Sequence, residues 1–303
     1  MEALSISDVE YAQRLTERTL QAFGLQRAPV LRQTAYRLVY PSALRLSRHL
    51  FEFDRVVGER NLWDATQLLL PNFINKMYVQ GDDKIPPEGP LLVTANHPGA
   101  ADVLLLFSTV RRRDVRIVAG VEELRYLPNT WNRHIIYVDK SKHTRSGEVR
   151  EAIVKFLQKG ECILLFPRGK MEPDPRWLQG AEDSIRHWSR SLETFVSKVP
   201  DLQILPAAIG GVINPSVLKF PAFAMLGNHK RRQRAAIFTQ IIAKMLRNEW
   251  FQVQAQVAFG DVLLSREVTA EDVLVAIRER AQTLFPNLKN EQFPLVQGVS
   301  GWW

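Results

Sequence analysis

His97 and Asp102 are the residues of this sequence whose types and spacing best suit chemistry. An imidazole takes a proton from a hydroxyl near neutral pH. A carboxylate on its other ring nitrogen fixes the tautomer and stabilises the imidazolium. The pair is five positions apart in LLVTANHPGAAD, Leu91 to Asp102. On a continuous helix that spacing points two side chains about 140° apart. Here an apolar strand ends at Asn96-His97, Pro98-Gly99 breaks the backbone, and a helix begins near Ala100 or Ala101. Asp102, in the first helical turn, can then fold back toward the imidazole. Strand ends are where α/β folds hold ligands. The spacing alone also admits a carboxylate that serves the helix dipole and an imidazole that donates to a carbonyl.

NHPGAAD resembles the Asn-His-x4-Asp signature of the glycerolipid acyltransferase superfamily, which holds the glycerol-3-phosphate and lysophosphatidic acid acyltransferases. Further blocks follow in that family's order. VEELRYLP, Val121 to Pro128, is similar to its Glu-Leu and Pro segment, and IIYVDK, Ile135 to Lys140, to a block that usually ends Asp-Arg. FPRGKMEP, Phe166 to Pro173, resembles its Phe-Pro-Glu-Gly block, and LPAAIGG, Leu205 to Gly211, its Pro-x-x-Ile block. The resemblance runs from Leu91 to Gly211.

It implies transfer of an acyl group from a thioester to a hydroxyl, with His97 as general base and Asp102 as its orienting partner. It also implies substrate contacts from Asn96, Lys140, Pro167, Arg168, Gly169 and Lys170, with backbone amides from Pro167 to Lys170 facing the oxyanion by analogy. An acyl-CoA or acyl-carrier protein would serve as co-substrate, with no other cofactor and no covalent acyl-enzyme. The acceptor would be a lysophospholipid or a related lipid. Two residues depart from the pattern. Lys140 stands where the family has Arg, which loses a bidentate fork for phosphate. Arg168 stands where it has Glu, a reversal of charge. Arg168, Lys170 and Lys140 would together hold an anionic group, or Arg168 faces solvent. A non-phosphate lipid acceptor and a catalytically inactive, basic lipid-binding homologue are the alternatives.

The elements that must position these residues read as follows. Helices are expected from Ser7 to Phe23, from Pro29 to Val57 with a bend near Pro41, and from Glu59 to Val79 with a break at Pro71. After the turn-rich GDDKIPPEGP, Gly81 to Pro90, strands and helices alternate to the C-terminus. Strands are expected at Leu91–Ala95, Val115–Ala119, Ile135–Val138, Ile163–Phe166, Gln203–Ile209 and Phe251–Phe259. Helices are expected at Ala101–Arg111, Ser146–Lys159, Ala181–Val199, Arg231–Asn248 and Ala270–Phe285. This is an α/β fold with a central mixed sheet flanked by helices, preceded by an N-terminal helical region. The expected division is residues 1–85 for the helical region and 86–303 for the α/β domain.

The chain has 303 residues, 46% apolar, with a net charge of +8, which is ordinary globular composition with a basic balance. That balance points to an acidic partner: an anionic membrane surface, the CoA phosphates or an acidic carrier protein. No nucleic-acid motif is present, so no nucleic acid is expected. Lys230-Arg231-Arg232-Gln233-Arg234 opens a helix, where cations are disfavoured, and this strengthens the case for an anionic partner. Arg111-Arg112-Arg113 follows a helix and suits its C-terminus. The single cysteine, Cys162, lies in an apolar run and reads as an inert buried thiol in a reducing compartment. The scattered histidines lack zinc-ligand spacing, and no metal is expected. With no secretory signal and no spanning helix, the expected location is cytoplasmic, on the inner face of a membrane. Trp302-Trp303 would suit an interfacial anchor.

Overall fold

The structure is a computed structural model that describes residues 6–27, 29–120, 130–138, 146–224, 226, 229–289 and 295–298. VEELRYLP, Asp139-Lys140 and Trp302-Trp303 lie outside the described residues.

The chain opens with helices α1 (Asp8–Ala22), α2 (Pro29–Glu59) and α3 (Leu62–Leu69). Ser7 caps α1 in a reciprocal capping box with Glu10. α2 carries Pro41 within a single helix. The expected third helix stops at Leu69, and Lys76–Gln80 is strand β1. Met77 and Val79 are buried while Lys76 and Gln80 are exposed, a two-residue period that a helical reading overlooks. The sheet therefore begins before the boundary expected at residue 85.

The remaining strands are β2 (Leu91–Ala95), β3 (Val115–Gly120), β4 (Ile135–Val138), β5 (Cys162–Leu165), β6 (Gln203–Gly210), β7 (Gln254–Phe259), β8 (Leu263–Leu264) and β9 (Leu295–Gly298). Among the described residues these nine strands form one mixed sheet in the order β4-β3-β5-β2-β6-β7-β1-β9, with β8 on β6. β4, β3, β5, β2 and β6 run parallel, and β7 reverses direction against β6. Parallel strands buried on both faces read as unbroken apolar runs, and every residue of β2 is buried.

Helices cover both faces. The chain continues with α4 (Asp102–Thr109), α5 (Ser146–Gln158), α6 (Ser191–Lys198), α7 (His229–Leu246) and α8 (Val273–Leu284). Leu91, Val93 and Ala95 of β2 pack in one core with Phe53 of α2, Ala65 of α3, Leu105 of α4 and Ala236 of α7. Leu92 faces the other core, with Leu157, Phe195 and Ile277. The N-terminal helices thus share the core of the sheet. Ser42 donates to the Ile242 carbonyl at 3.2 Å, and buried Asp54 accepts the Trp131 amide at 3.0 Å.

The helix expected from Ala181 to Val199 is broken between Ala181–Ile185 and α6. In the gap, the Ser189 amide donates to the Pro167 carbonyl at 3.0 Å, and Trp188 turns inward.

At the amino ends of the parallel strands, Arg112 ties three loops together. Its side chain is 6% exposed; it donates to the Gly89 carbonyl at 2.8 Å and the Gly160 carbonyl at 2.7 Å, and pairs with Asp114. Among its run of three arginines it is therefore an internal clamp. Arg112→Met should cost about 3 kcal/mol by stranding these acceptors. Urea unfolding should show a lower midpoint with an unchanged slope; an unchanged midpoint would remove the clamp.

Candidate active site

β2, β5 and β6 are parallel neighbours, so the segments that follow them emerge at the same edge of the sheet. Those segments carry Asn96 to Asp102, Phe166 to Lys170 and Gly211 to Ile213.

The first turn holds the pair expected from the sequence. His97 Nδ1 lies 2.8 Å from Asp102 Oδ2. The imidazole is 29% exposed and the carboxyl fully buried. The same Oδ2 accepts the Gly99 amide at 2.7 Å. Burial pushes the Asp102 carboxyl up from its ordinary pKa, while the hydrogen bond and charge of His97 and the Gly99 amide pull it down. Oδ1 is buried with no hydrogen-bond partner among the described residues. With Nδ1 held by the carboxylate, Nε2 is left to meet a hydroxyl. The Phe166 ring lies nearly parallel to the imidazole, with centroids 4.5 Å apart. Gly99 is required by close approach, because a Cβ there would meet Val212 Cγ2 at 2.8 Å.

Asn96, expected among the substrate contacts, does other work. It is buried; its Oδ1 accepts the Ile209 amide at 2.7 Å and its Nδ2 donates to the Ile209 carbonyl at 2.9 Å. The carboxamide imitates a peptide and extends the β2–β6 ladder beyond the strand end.

Phe166 to Lys170 form a turn closed by the Gly169 amide on the Phe166 carbonyl at 2.9 Å, with Gly169 at φ +62°. Pro167 is buried, Arg168 partly buried, and Gly169 and Lys170 exposed. Pro167 has no N–H, and that of Gly169 closes the turn, so the amides left to face an oxyanion are those of Arg168 and Lys170. The Arg168 charge acts on buried Glu172 and favours its ionised form.

Several residues at the site were not among those expected from the sequence. Glu172 is fully buried and accepts the His97 amide at 3.0 Å, the Ser184 hydroxyl at 2.8 Å and the Trp188 indole N–H at 3.1 Å. Burial pushes its carboxyl upward. Asp174 is fully buried and accepts the amides of Gly211, Val212 and Arg176 at 2.9, 3.0 and 3.0 Å. Burial raises its carboxyl to about 6, with a further contribution from the charge of Asp102. Gln233 of α7 is buried and donates to the carbonyls of Pro98 and Glu172 at 2.8 and 2.7 Å. It brings the basic start of α7, with exposed Lys230, Arg231 and Arg234, against the turn that follows β2. The available signals were carboxylates between prolines in EPDP, and a polar residue on the buried 3–4 spacing of Gln233, Ala236, Ile237 and Gln240.

Residues 76–210 match the family model described as Acyltransferase. This chain carries an acyltransferase domain. The segments after β2 and β5 fall inside that match, and β6 closes it. No curated protein matches the chain at a significant level. Among solved structures, it is similar to the crystal structure of the 1-acyl-sn-glycerophosphate (LPA) acyltransferase, PlsC, from Thermotoga maritima. The two are 16% identical with a TM-score of 0.50, over 94% of this chain and 100% of the other. At that identity the likeness concerns the fold: a mixed sheet flanked by helices, with helices ahead of it. Cys162 of the acyltransferase domain is fully buried and its thiol is pushed up to about 12, so it is no nucleophile.

Asp174 gives the domain a pH signature. Its carboxyl is raised from 3.8 to about 6, so the folded state holds this proton more tightly than the unfolded chain. Its contribution to stability is full below the unfolded value and is lost as pH rises through about 6, ~3 kcal/mol in all. Asp174→Asn should weaken the fall in unfolding free energy between about pH 4 and about pH 6. Denaturant titrations across that range test this; parallel profiles for the two proteins would refute it.

Proposed function

We propose that the chain transfers an acyl group from an acyl-CoA or acyl-carrier-protein thioester to a hydroxyl of a lysophospholipid or related lipid. His97 is the general base and Asp102 orients it. The observation that carries this reading is the 2.8 Å contact between an accessible imidazole and a fully buried carboxylate at the edge where β2, β5 and β6 end.

The acceptor hydroxyl gives its proton to Nε2 of His97 as its oxygen bonds to the thioester carbonyl carbon. Asp102 stabilises the resulting imidazolium. The amides of Arg168 and Lys170 face the oxyanion. Collapse breaks the carbon–sulfur bond, and the departing thiolate takes the proton back from His97. An ester and a free thiol result, and the imidazole returns neutral.

Arg168 and Lys170 follow β5, and Lys230 and Arg234 flank Gln233, whose carboxamide bonds the turn after β2; such basic groups would suit the phosphates of donor or acceptor. No described helix is long and apolar enough to cross a membrane. Leu31 and Leu38 on α2 are 64% and 68% exposed, which supports peripheral docking on an anionic membrane surface, at the inner face in a cytoplasmic setting. A second reading has a non-phosphate lipid acceptor. The charge of Arg168 already acts on Glu172, so part of it answers to the protein.

The test gives the purified chain palmitoyl-CoA with lysolipids, glycerol 3-phosphate and phosphate-free lipid alcohols, and follows free thiol. Acceptor-dependent release is expected, falling by about 10³-fold in His97→Ala. Asp102→Asn should also lose most of the rate through the wrong tautomer. Release that is unchanged in His97→Ala would sink the mechanism. Release with phosphate-free acceptors alone would select the second reading.

A further inference from the structure

We propose that Glu172 is the positioning residue of this site: its carboxylate and peptide together fix the main chain of His97, and Gln233 locks the pair from α7. The inference rests on His97 acting as the base.

Each free backbone group around the base is held. The His97 amide donates to Glu172 Oε2 at 3.0 Å, and the Glu172 amide donates to the His97 carbonyl at 2.8 Å. Pro98 has no N–H, and its carbonyl accepts from Gln233 at 2.8 Å. The second Gln233 bond runs to the Glu172 carbonyl at 2.7 Å, so one carboxamide ties both halves of the clamp. With the backbone fixed, only the two side-chain torsions of His97 remain. Asp102 and the Phe166 ring set them. A misplacement near 1 Å at a reacting group costs about 10²-fold in rate.

The donor pattern explains why this residue is a glutamate. Oε1 accepts from Ser184 and Trp188 while Oε2 accepts from His97, so donors converge on both oxygens. A buried carboxylate is costly and persists where its lone pairs are used. A glutamine in its place must aim its NH2 at one of those sides. Ser184 can receive it, because a hydroxyl also accepts and its own proton has the Ala181 carbonyl at 2.8 Å. The indole of Trp188 only donates. Glu172→Gln therefore faces a conflict at Trp188, relieved by turning the NH2 toward the His97 amide and displacing it.

That conflict makes a rescue possible. In Glu172→Gln/Trp188→Phe the indole donor is gone, so the carboxamide oxygen can serve His97 and its NH2 can serve Ser184. Glu172→Gln should lower kcat by about 10–10²-fold with KM within about twofold. The double variant should recover most of that kcat while being less stable than either single variant. A residue that only holds the loop together predicts the reverse, since removing a second contact would make activity worse. Gln233→Met, which leaves the carboxylate in place, should lower kcat in the same direction.

A readout independent of turnover is the backbone amide resonance of residue 97. It should lie downfield in wild type and in His97→Ala, move upfield in Glu172→Gln and return in the double variant. If the wild type releases no thiol with any donor or acceptor, the proposed function falls and this resonance still decides the clamp. An unmoved resonance in Glu172→Gln overturns the inference. So does a kcat within twofold of wild type for that variant, or a double variant slower than Glu172→Gln.

Discussion

The geometry of the edge that carries His97 is governed by one carboxylate buried away from solvent. Asp102 is fully buried, and among the described residues only one of its oxygens has partners. An ion in such surroundings costs several kcal/mol unless groups are already aimed at it. The turn after β2 supplies them. Gly99 must lack a Cβ so that Val212 can close over it, and its amide then reaches Oδ2. The imidazole completes the pairing. Helix α4 begins at Asp102, which places the carboxyl at the positive end of a helix. The sharp break at Pro98-Gly99 follows from the need to deliver both an amide and a ring to the same oxygen.

A second layer serves the same end. Asp174 collects the amides that follow β6, and Val212 among them is the residue that covers Gly99. Glu172 collects groups from the turn of the base and from the segment before α6. The two carboxylates are separated only by Pro173, so one short run of chain after β5 organises the turns after β2 and β6. At the amino ends of the parallel strands Arg112 ties the loops together, away from the His97–Asp102 pair at the carboxyl ends.

What the sequence made legible was local. His97 and Asp102 lie within one turn, and the strand, break and helix around them are written in consecutive residues. The alternation of strands and helices gave the α/β class and the helical N-terminus. What escaped depends on register between strands far apart in the chain. Asn96 reads as a polar residue beside a catalytic histidine, and only the parallel pairing of β2 with β6 shows that its amide faces Ile209. Glu172 acquires its meaning from β5 lying beside β2. Gln233 is hidden among arginines because its partners, the carbonyls of Pro98 and Glu172, precede it by 135 and 61 positions. β1 was absorbed into a helix because its alternation is only five residues long and follows an apolar helical stretch.

The position of β7 bears on how the molecule assembles. Among the described residues β1 reaches the β2–β6 half of the sheet only through β7, which lies between it and β6. A ribosome releases Lys76–Gln80 long before Gln254–Phe259. During synthesis β1 must therefore wait without its parallel neighbour while the β2–β6 half collapses around it. Pairing of such distant segments is slow, and an exposed strand is a site for association with other chains. Its brevity and the charged and polar ends contributed by Lys76 and Gln80 limit that hazard. The last hydrogen bonds to form in this half of the sheet are then expected to be those between β1 and β7, late in refolding and sensitive to protein concentration.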